Sequence, residues 1–326
     1  MTTPCFFGTR PDEMYAATFE ITNTCNLSCQ HCMNKSGSDN HSGLPIMAVL
    51  TLAEEMYAAG VRSLYISGGE PLTYPGIDQV LYFCSEKGYK LSLATNGSLV
   101  QEHIDTITNC VRDVSISLDG LGSIHDEFRG SSGMFDLFVS TVNSLKGKVN
   151  LIVSTVIWNK NIDIIEELVK FVYGLGVGQI NFSYLVPLGR AKNPNIHINK
   201  EDYFKVQERI KRLQSLYSSK GLTILFRRST RIRCDSADCE GGQQILHVTS
   251  TGIVAPCSWC AKLNDGIKEM TYQWKPGNFV QCLNHIQQLK SINDKRKLLY
   301  GYTGCPAMSK IYNGSIMADD PLNQLL

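Results

Sequence analysis

Short apolar, β-branched runs alternate with amphipathic runs from residue 17 to residue 185, and few folds accept that rhythm. Residues 17–21, 63–67, 90–94, 114–118, 149–156 and 179–185 read as strands. Residues 46–59, 77–87, 100–109, 135–145 and 162–173 read as the intervening helices. The first helix sets Val49, Leu52, Met56 and Ala59 on one face and stops at Gly60. A strand–helix–strand repeat of about thirty residues means βαβ units and a parallel sheet. Periodicity leaves two forms open, a doubly wound sheet and a partial barrel. Either one puts its functional loops at the C-terminal ends of the strands.

The rhythm ends after residue 185. Residues 187–194 read as a loop and 200–218 as a long charged helix. From Thr230 onward cysteine, glycine and turn residues dominate, so a domain boundary is expected between about Gly189 and Thr230.

Twelve cysteines are many for a chain with no secretory signal at its start. No apolar run approaches the ~20 residues of a membrane span. A cytoplasmic protein is expected, and reducing conditions there disfavour structural disulfides. Metal ligation is the better use of the thiols where spacing supports it. Net charge is only +1, which gives no field for nucleic acid or a membrane surface, and neither partner is expected.

Spacing supports ligation at two places. Just after the first strand stand Cys25, Cys29 and Cys32. A four-iron cluster takes one cysteine per iron, so three leave one iron open to a ligand. Zinc held with His31 or a distant cysteine is the alternative. The second group comprises Cys234, Cys239, Cys257, Cys260 and Cys305, with Gly252 between Cys239 and Cys257. Residues 248–254 read as a hairpin turning at Ser250–Gly252, which would carry cysteines toward one centre. A structural zinc is again the alternative. Cys5, Cys84, Cys110 and Cys282 read as packing residues.

Motifs follow at successive strand ends: Gly68-Gly69-Glu70-Pro71, then Thr95-Asn96-Gly97, then Ser117-Leu118-Asp119-Gly120 with His125 and Arg129, then Tyr184-Leu185. Two glycines allow close approach to a ligand, Pro71 stiffens the turn, and Arg129 can pair with a carboxylate. With the C-x3-C-x2-C loop before them, these motifs resemble the radical S-adenosylmethionine (SAM) superfamily, over nearly the whole chain. The resemblance implies a partial (β/α)6 barrel. Cys25, Cys29 and Cys32 would hold a [4Fe–4S] cluster whose open iron chelates SAM. Gly68, Gly69, Glu70, Pro71, Asn96, Ser117, Asp119, Arg129 and Leu185 would bind the cofactor. Reductive cleavage would give a 5′-deoxyadenosyl radical that removes a hydrogen atom from the substrate.

The C-x12-G-x4-C stretch and Cys305-Pro306 resemble the auxiliary-cluster extension called SPASM. Gly301 and Asn323 stand where two further cysteines of that extension belong. One auxiliary cluster is therefore expected, the shortened arrangement called a twitch domain, with [4Fe–4S] the expected type. Its expected ligands are Cys234, Cys239, Cys257 and Cys305, with Cys260 the alternative fourth; if not a ligand, Cys260 is a candidate hydrogen donor. The implied layout is a barrel over residues 1–195, a helical connector over 196–229 and the auxiliary domain over 230–326.

The resemblance implies an enzyme acting on a ribosomally made peptide, by crosslinking, oxidation or epimerisation. A small metabolite, such as an amino sugar or cofactor precursor, is the second reading, favoured by the few residues before the first strand. A non-catalytic iron–sulfur or zinc protein is the third. The electron donor would be a flavodoxin or ferredoxin. Arg190, in Pro187-Leu188-Gly189-Arg190-Ala191, could reach SAM or substrate. The arginines at 227, 228, 231 and 233 read as a solvated face, and His31, His125 and His247 as hydrogen-bonding residues.

Overall fold

The computed structural model describes residues 16–227, 239–263 and 270–320. Its centre is a ten-stranded sheet in the order β10-β9-β8-β1-β2-β3-β4-β5-β6-β7. The parallel run comprises β1 (Ala16–Thr22), β2 (Ser63–Gly68), β3 (Lys90–Thr95), β4 (Asp113–Ser117), β5 (Asn150–Ile157), β6 (Gln179–Tyr184) and β7 (Thr223–Arg227). The sheet does not close on itself, and the architecture is a partial (β/α) barrel.

The crossovers are α1 (Ile46–Ala58), α2 (Ile77–Glu86), α3 (Ile104–Cys110), α4 (Ser123–Arg129), α5 (Met134–Leu145), α6 (Ile165–Gly174) and α7 (Lys200–Ser218). Their apolar stripes and the outward face of the strands make one core. In α1 the stripe is Val49, Leu52, Ala53 and Met56, and the chain leaves the helix at Gly60 with φ 98°. Burying such a side chain contributes about 1.5–3 kcal/mol.

Two elements of the barrel escaped the periodicity. Helix α4 is only seven residues long, too short to show a helical repeat against its turn-rich flanks. Strand β7 lies inside the stretch expected to be a helical connector, and it pairs with β6 in parallel.

The C-terminal segment adds β8 (Ile245–Val248), β9 (Ile253–Ala255), α8 (Ser258–Lys262), β10 (Tyr272–Gln273), α9 (Phe279–Ile286), α10 (Leu289–Tyr300) and α11 (Pro306–Asn313). Strands β8 and β9 form the expected hairpin, with Gly252 at φ 81° in its turn. Strand β8 also pairs in parallel with β1, from Ala16↔Ile245 to Phe19↔Val248. The hairpin thus extends the barrel sheet across the expected domain boundary. Glu55 of α1 secures the far side, accepting from Gly277 N at 2.6 Å, Trp274 Nε1 at 3.1 Å and Phe279 N at 3.2 Å. Among the described residues no helix is long and apolar enough to cross a membrane.

Candidate active site

A cavity of about 430 Å³ opens at the C-terminal ends of the strands and runs into the barrel. Cys25, Cys29 and Cys32 line it, on the loop that follows β1. Backbone and side-chain donors hold their sulfurs. Leu27 N donates to Cys25 Sγ at 3.4 Å, Ser36 N to Cys32 Sγ at 3.3 Å, and Arg129 Nη1 to Cys29 Sγ at 3.8 Å. Such donors tune the potential of a sulfur-bound cluster. Burial pushes the Cys25 thiol up to about 12 and raises Cys29 as well. A thiolate there needs strong positive charge beside it, which iron supplies.

Arg190 clamps this loop. Its Nε donates to Cys29 O at 2.8 Å, its Nη1 to Ser36 O at 2.9 Å, and its backbone N to Cys32 O at 2.9 Å. Arg129 is buried and ion-paired to fully buried Asp119. Its Nε has no partner, and the residue lines the cavity. Asp119 stands behind the wall, where it also accepts from Val156 N at 2.7 Å. His125 Nδ1 accepts from Asp119 N at 3.0 Å, and burial followed by the Arg129 charge holds the ring down to about 4, so it stays neutral. His31 stacks on Phe128, and Phe128 on Trp158, with centroids 4.4 and 4.2 Å apart.

Gly68, Gly69, Asn96, Ser117 and Leu185 all line the cavity. The two glycines answer a packing need. A Cβ on Gly68 would fall 2.2 Å from Thr22 O, and one on Gly69 2.1 Å from Thr24 O. Gly69 N donates to Thr22 O at 2.8 Å and Glu70 N to Thr24 O at 2.9 Å, so these donors serve the β1 loop. Glu70 and Pro71 lie behind the wall. Glu70 accepts from Asn96 N at 2.8 Å, Thr95 Oγ1 at 2.8 Å and Leu72 N at 3.2 Å, tying the β2 loop to the β3 loop. Burial raises its carboxyl to about 7.

At the far side of the cavity wall, Cys239, Cys257, Cys260 and Cys305 belong to one buried cluster with Met33, Val186, Leu188 and Trp259. A hydrogen bond from the Cys260 thiol holds Cys257 below its ordinary value, while the same bond and burial push Cys260 up. Burial raises Cys305 too, reinforced by Cys239 and Cys257 nearby. Cys305 N donates to Asp320 Oδ2 at 2.8 Å and Cys239 N to Thr303 Oγ1 at 2.5 Å, while buried Arg296 braces the loop through Thr303 O and Ala318 O, each at 2.5 Å. Gly301 ends α10 at φ 79°. Cys234 and Asn323 lie outside the described residues, as do Cys5 and the arginines at 228, 231 and 233.

The donor chemistry suits clusters, since cysteine thiolates are the usual ligands of iron–sulfur centres.

A model of the radical SAM superfamily matches residues 19–172. These residues form a radical SAM domain. The chain is 25% identical to the AdoMet-dependent heme synthase of Methanosarcina barkeri, covering 93% of this chain and 94% of that one. It is 26% identical to the subtilosin biosynthesis protein AlbA of Bacillus subtilis, over 74% of this chain and 54% of AlbA. Among solved structures, Streptococcus suis SuiB bound to S-adenosylmethionine superposes with a TM-score of 0.73 at 16% identity, covering 94% of this chain and 75% of SuiB. The protein is thus a radical SAM enzyme, of the kind that uses a [4Fe–4S] cluster and SAM.

Glu20, Asn34, Asn181 and Trp259 also line the cavity and were not read from the sequence. The signal for the strand residues was present. In strands buried on both faces, polar residues at alternate positions (Thr18 and Glu20, Ser154, Asn181 and Ser183) mark a polar interior.

Proposed function

We propose that this radical SAM enzyme oxidises a substrate held in the barrel cavity between two iron–sulfur sites. The observation that carries this reading is one cavity lined both by Cys25, Cys29 and Cys32 and by Ser258 and Trp259, the neighbours of Cys257 and Cys260. The loop cysteines would hold the SAM-binding cluster, and Cys239, Cys257, Cys260 and Cys305 the auxiliary one. Bound there, SAM and the first cluster supply hydrogen-atom abstraction, and the auxiliary cluster a sink for the remaining electron.

The chain's own residues position and exclude. Gly68 and Gly69 carbonyls face a ligand ammonium, Arg129 and Ser117 offer donors to a carboxylate or ribose, and the His31–Phe128–Trp158 stack fixes the wall above the cysteine loop. We place the enzyme in the cytoplasm, supplied with electrons by a flavodoxin or ferredoxin.

A small metabolite is the first reading of the substrate, because the heme synthase match spans nearly the full length of both chains. A peptide is the second, favoured by the likeness to AlbA and to the maturation proteins SkfB and MftC. Anaerobic reconstitution tests the core of the proposal. About eight irons per chain are expected, with 5′-deoxyadenosine formed under a strong reductant and lost in Cys29→Ala. Stoichiometric zinc, or no cleavage at full iron content, would sink it.

A further inference from the structure

The inner end of the cavity carries a charged group that the SAM site does not use. Glu20 of β1 is 4% exposed, and His247 of β8 is 1% exposed. His247 pairs in register with Thr18, deep in the barrel and seven residues before Cys25 along the chain. Glu20 is already fully engaged. Lys262 Nζ lies 2.8 Å from Oε2, Asn34 Nδ2 donates to Oε1 at 2.9 Å, and His247 Nε2 lies 3.3 Å from Oε1. His247 Nδ1 has no hydrogen-bond partner at all, and Nε2 is off line for a full bond to Glu20. Asn181 of β6 lines the same cavity, is 4% exposed, and leaves its Nδ2 donor unpartnered.

Buried polar groups without partners are costly, and a ligand acceptor would relieve them. We propose that this inner site binds a carboxylate of the substrate, with His247 as its principal partner and Asn181 as a second donor. The inference rests on the reading that the cavity holds substrate.

Charge selects the ligand class. A substrate cation is the wrong partner, because Lys262 already neutralises Glu20. Glu20 is the sole carboxylate among the cavity-lining residues, against Arg129, Arg190 and His247. An anion arriving beside the ring accepts from an imidazole N–H, and Asn181 Nδ2 offers a second donor. The remaining inner surface is hydroxyl-rich and neutral, with Thr18, Ser67, Ser154 and Ser183. Lys262 and Glu20 thereby act as positioning residues for His247.

The test is calorimetric titration of reconstituted, SAM-loaded holoenzyme with glutarate and with its neutral isostere glutaramide. Glutarate is expected to bind at least about tenfold more tightly than glutaramide. His247→Gln is expected to lower glutarate affinity by about tenfold or more, and Asn181→Ala by less. Iron content of each variant reports its folding independently. Equal binding of the two probes, no binding of glutarate, or unchanged glutarate affinity in a folded His247→Gln would overturn the proposal. SAM cleavage by the same wild-type preparation reports separately on the radical-enzyme reading. Binding of N-acetyl-glutamate amide as tightly as glutarate would support the site and assign the carboxylate to a peptide side chain. Binding of glutarate alone would support it and assign the carboxylate to a small metabolite.

Discussion

Lys262, two residues beyond Cys260, reaches from α8 into the barrel and meets Glu20 of β1 at 2.8 Å. The segment carrying the auxiliary cysteines is thus pinned to the strand that leads into Cys25. Burial by itself would raise the Glu20 carboxyl, but His247 and Lys262 together hold it down to about 2. Its stabilising contribution is complete above its ordinary value of 4.5 and is lost as pH falls toward 2. Lys262→Met strands a buried carboxylate and is expected to cost about 3 kcal/mol. A lower denaturation midpoint at unchanged slope would show this, together with a weaker pH dependence below 4.5.

Glu70 has the opposite sign. Its carboxyl is raised from 4.5 to about 7, so the native state holds the proton more firmly than the unfolded chain. The stabilisation is full below 4.5 and is lost as pH rises through about 7. Glu70→Gln removes that slope. The amide can still accept from Leu72 and Thr95 but turns a donor toward Asn96 N, at an expected cost of about 1–3 kcal/mol at neutral pH. Stability measured across this pH window in both proteins checks the sign.

Gly69→Ala drives a methyl group into Thr24 O, the residue before Cys25. Backbone cannot yield as a flexible side chain does, so the cysteine loop must move. Iron incorporation at the first site is expected to fall several-fold, with the auxiliary site retained. Mössbauer spectra of the two sites would separate this from general unfolding.

Cys260→Ser distinguishes a ligand from a free thiol. If Cys260 completes the auxiliary set, iron falls from about eight to about four per chain, while SAM cleavage without substrate continues. Full iron content in the folded variant would return the fourth position to Cys234.

The local features were legible because their causes are local. Every strand from β1 to β6 and the long helix α7 follow from side-chain period, and the C-x3-C-x2-C spacing marks a metal-binding loop. Glycine positions were legible too, although their use was not. Gly68 and Gly69 read as a ligand cradle, and the structure adds a second demand, the close approach of the β1 loop.

By itself, then, the sequence determined the βα order, the cysteine spacing and the placing of motifs at strand ends, since period and spacing act over a few residues. Only the tertiary structure decided that β8 pairs with β1, that Cys260 packs in one buried cluster with Cys239, Cys257 and Cys305, and that Glu20, His247 and Lys262 meet. The physical reason is range. Parallel pairing and buried ion pairs join residues more than two hundred positions apart, and nothing in either local stretch specifies its distant partner.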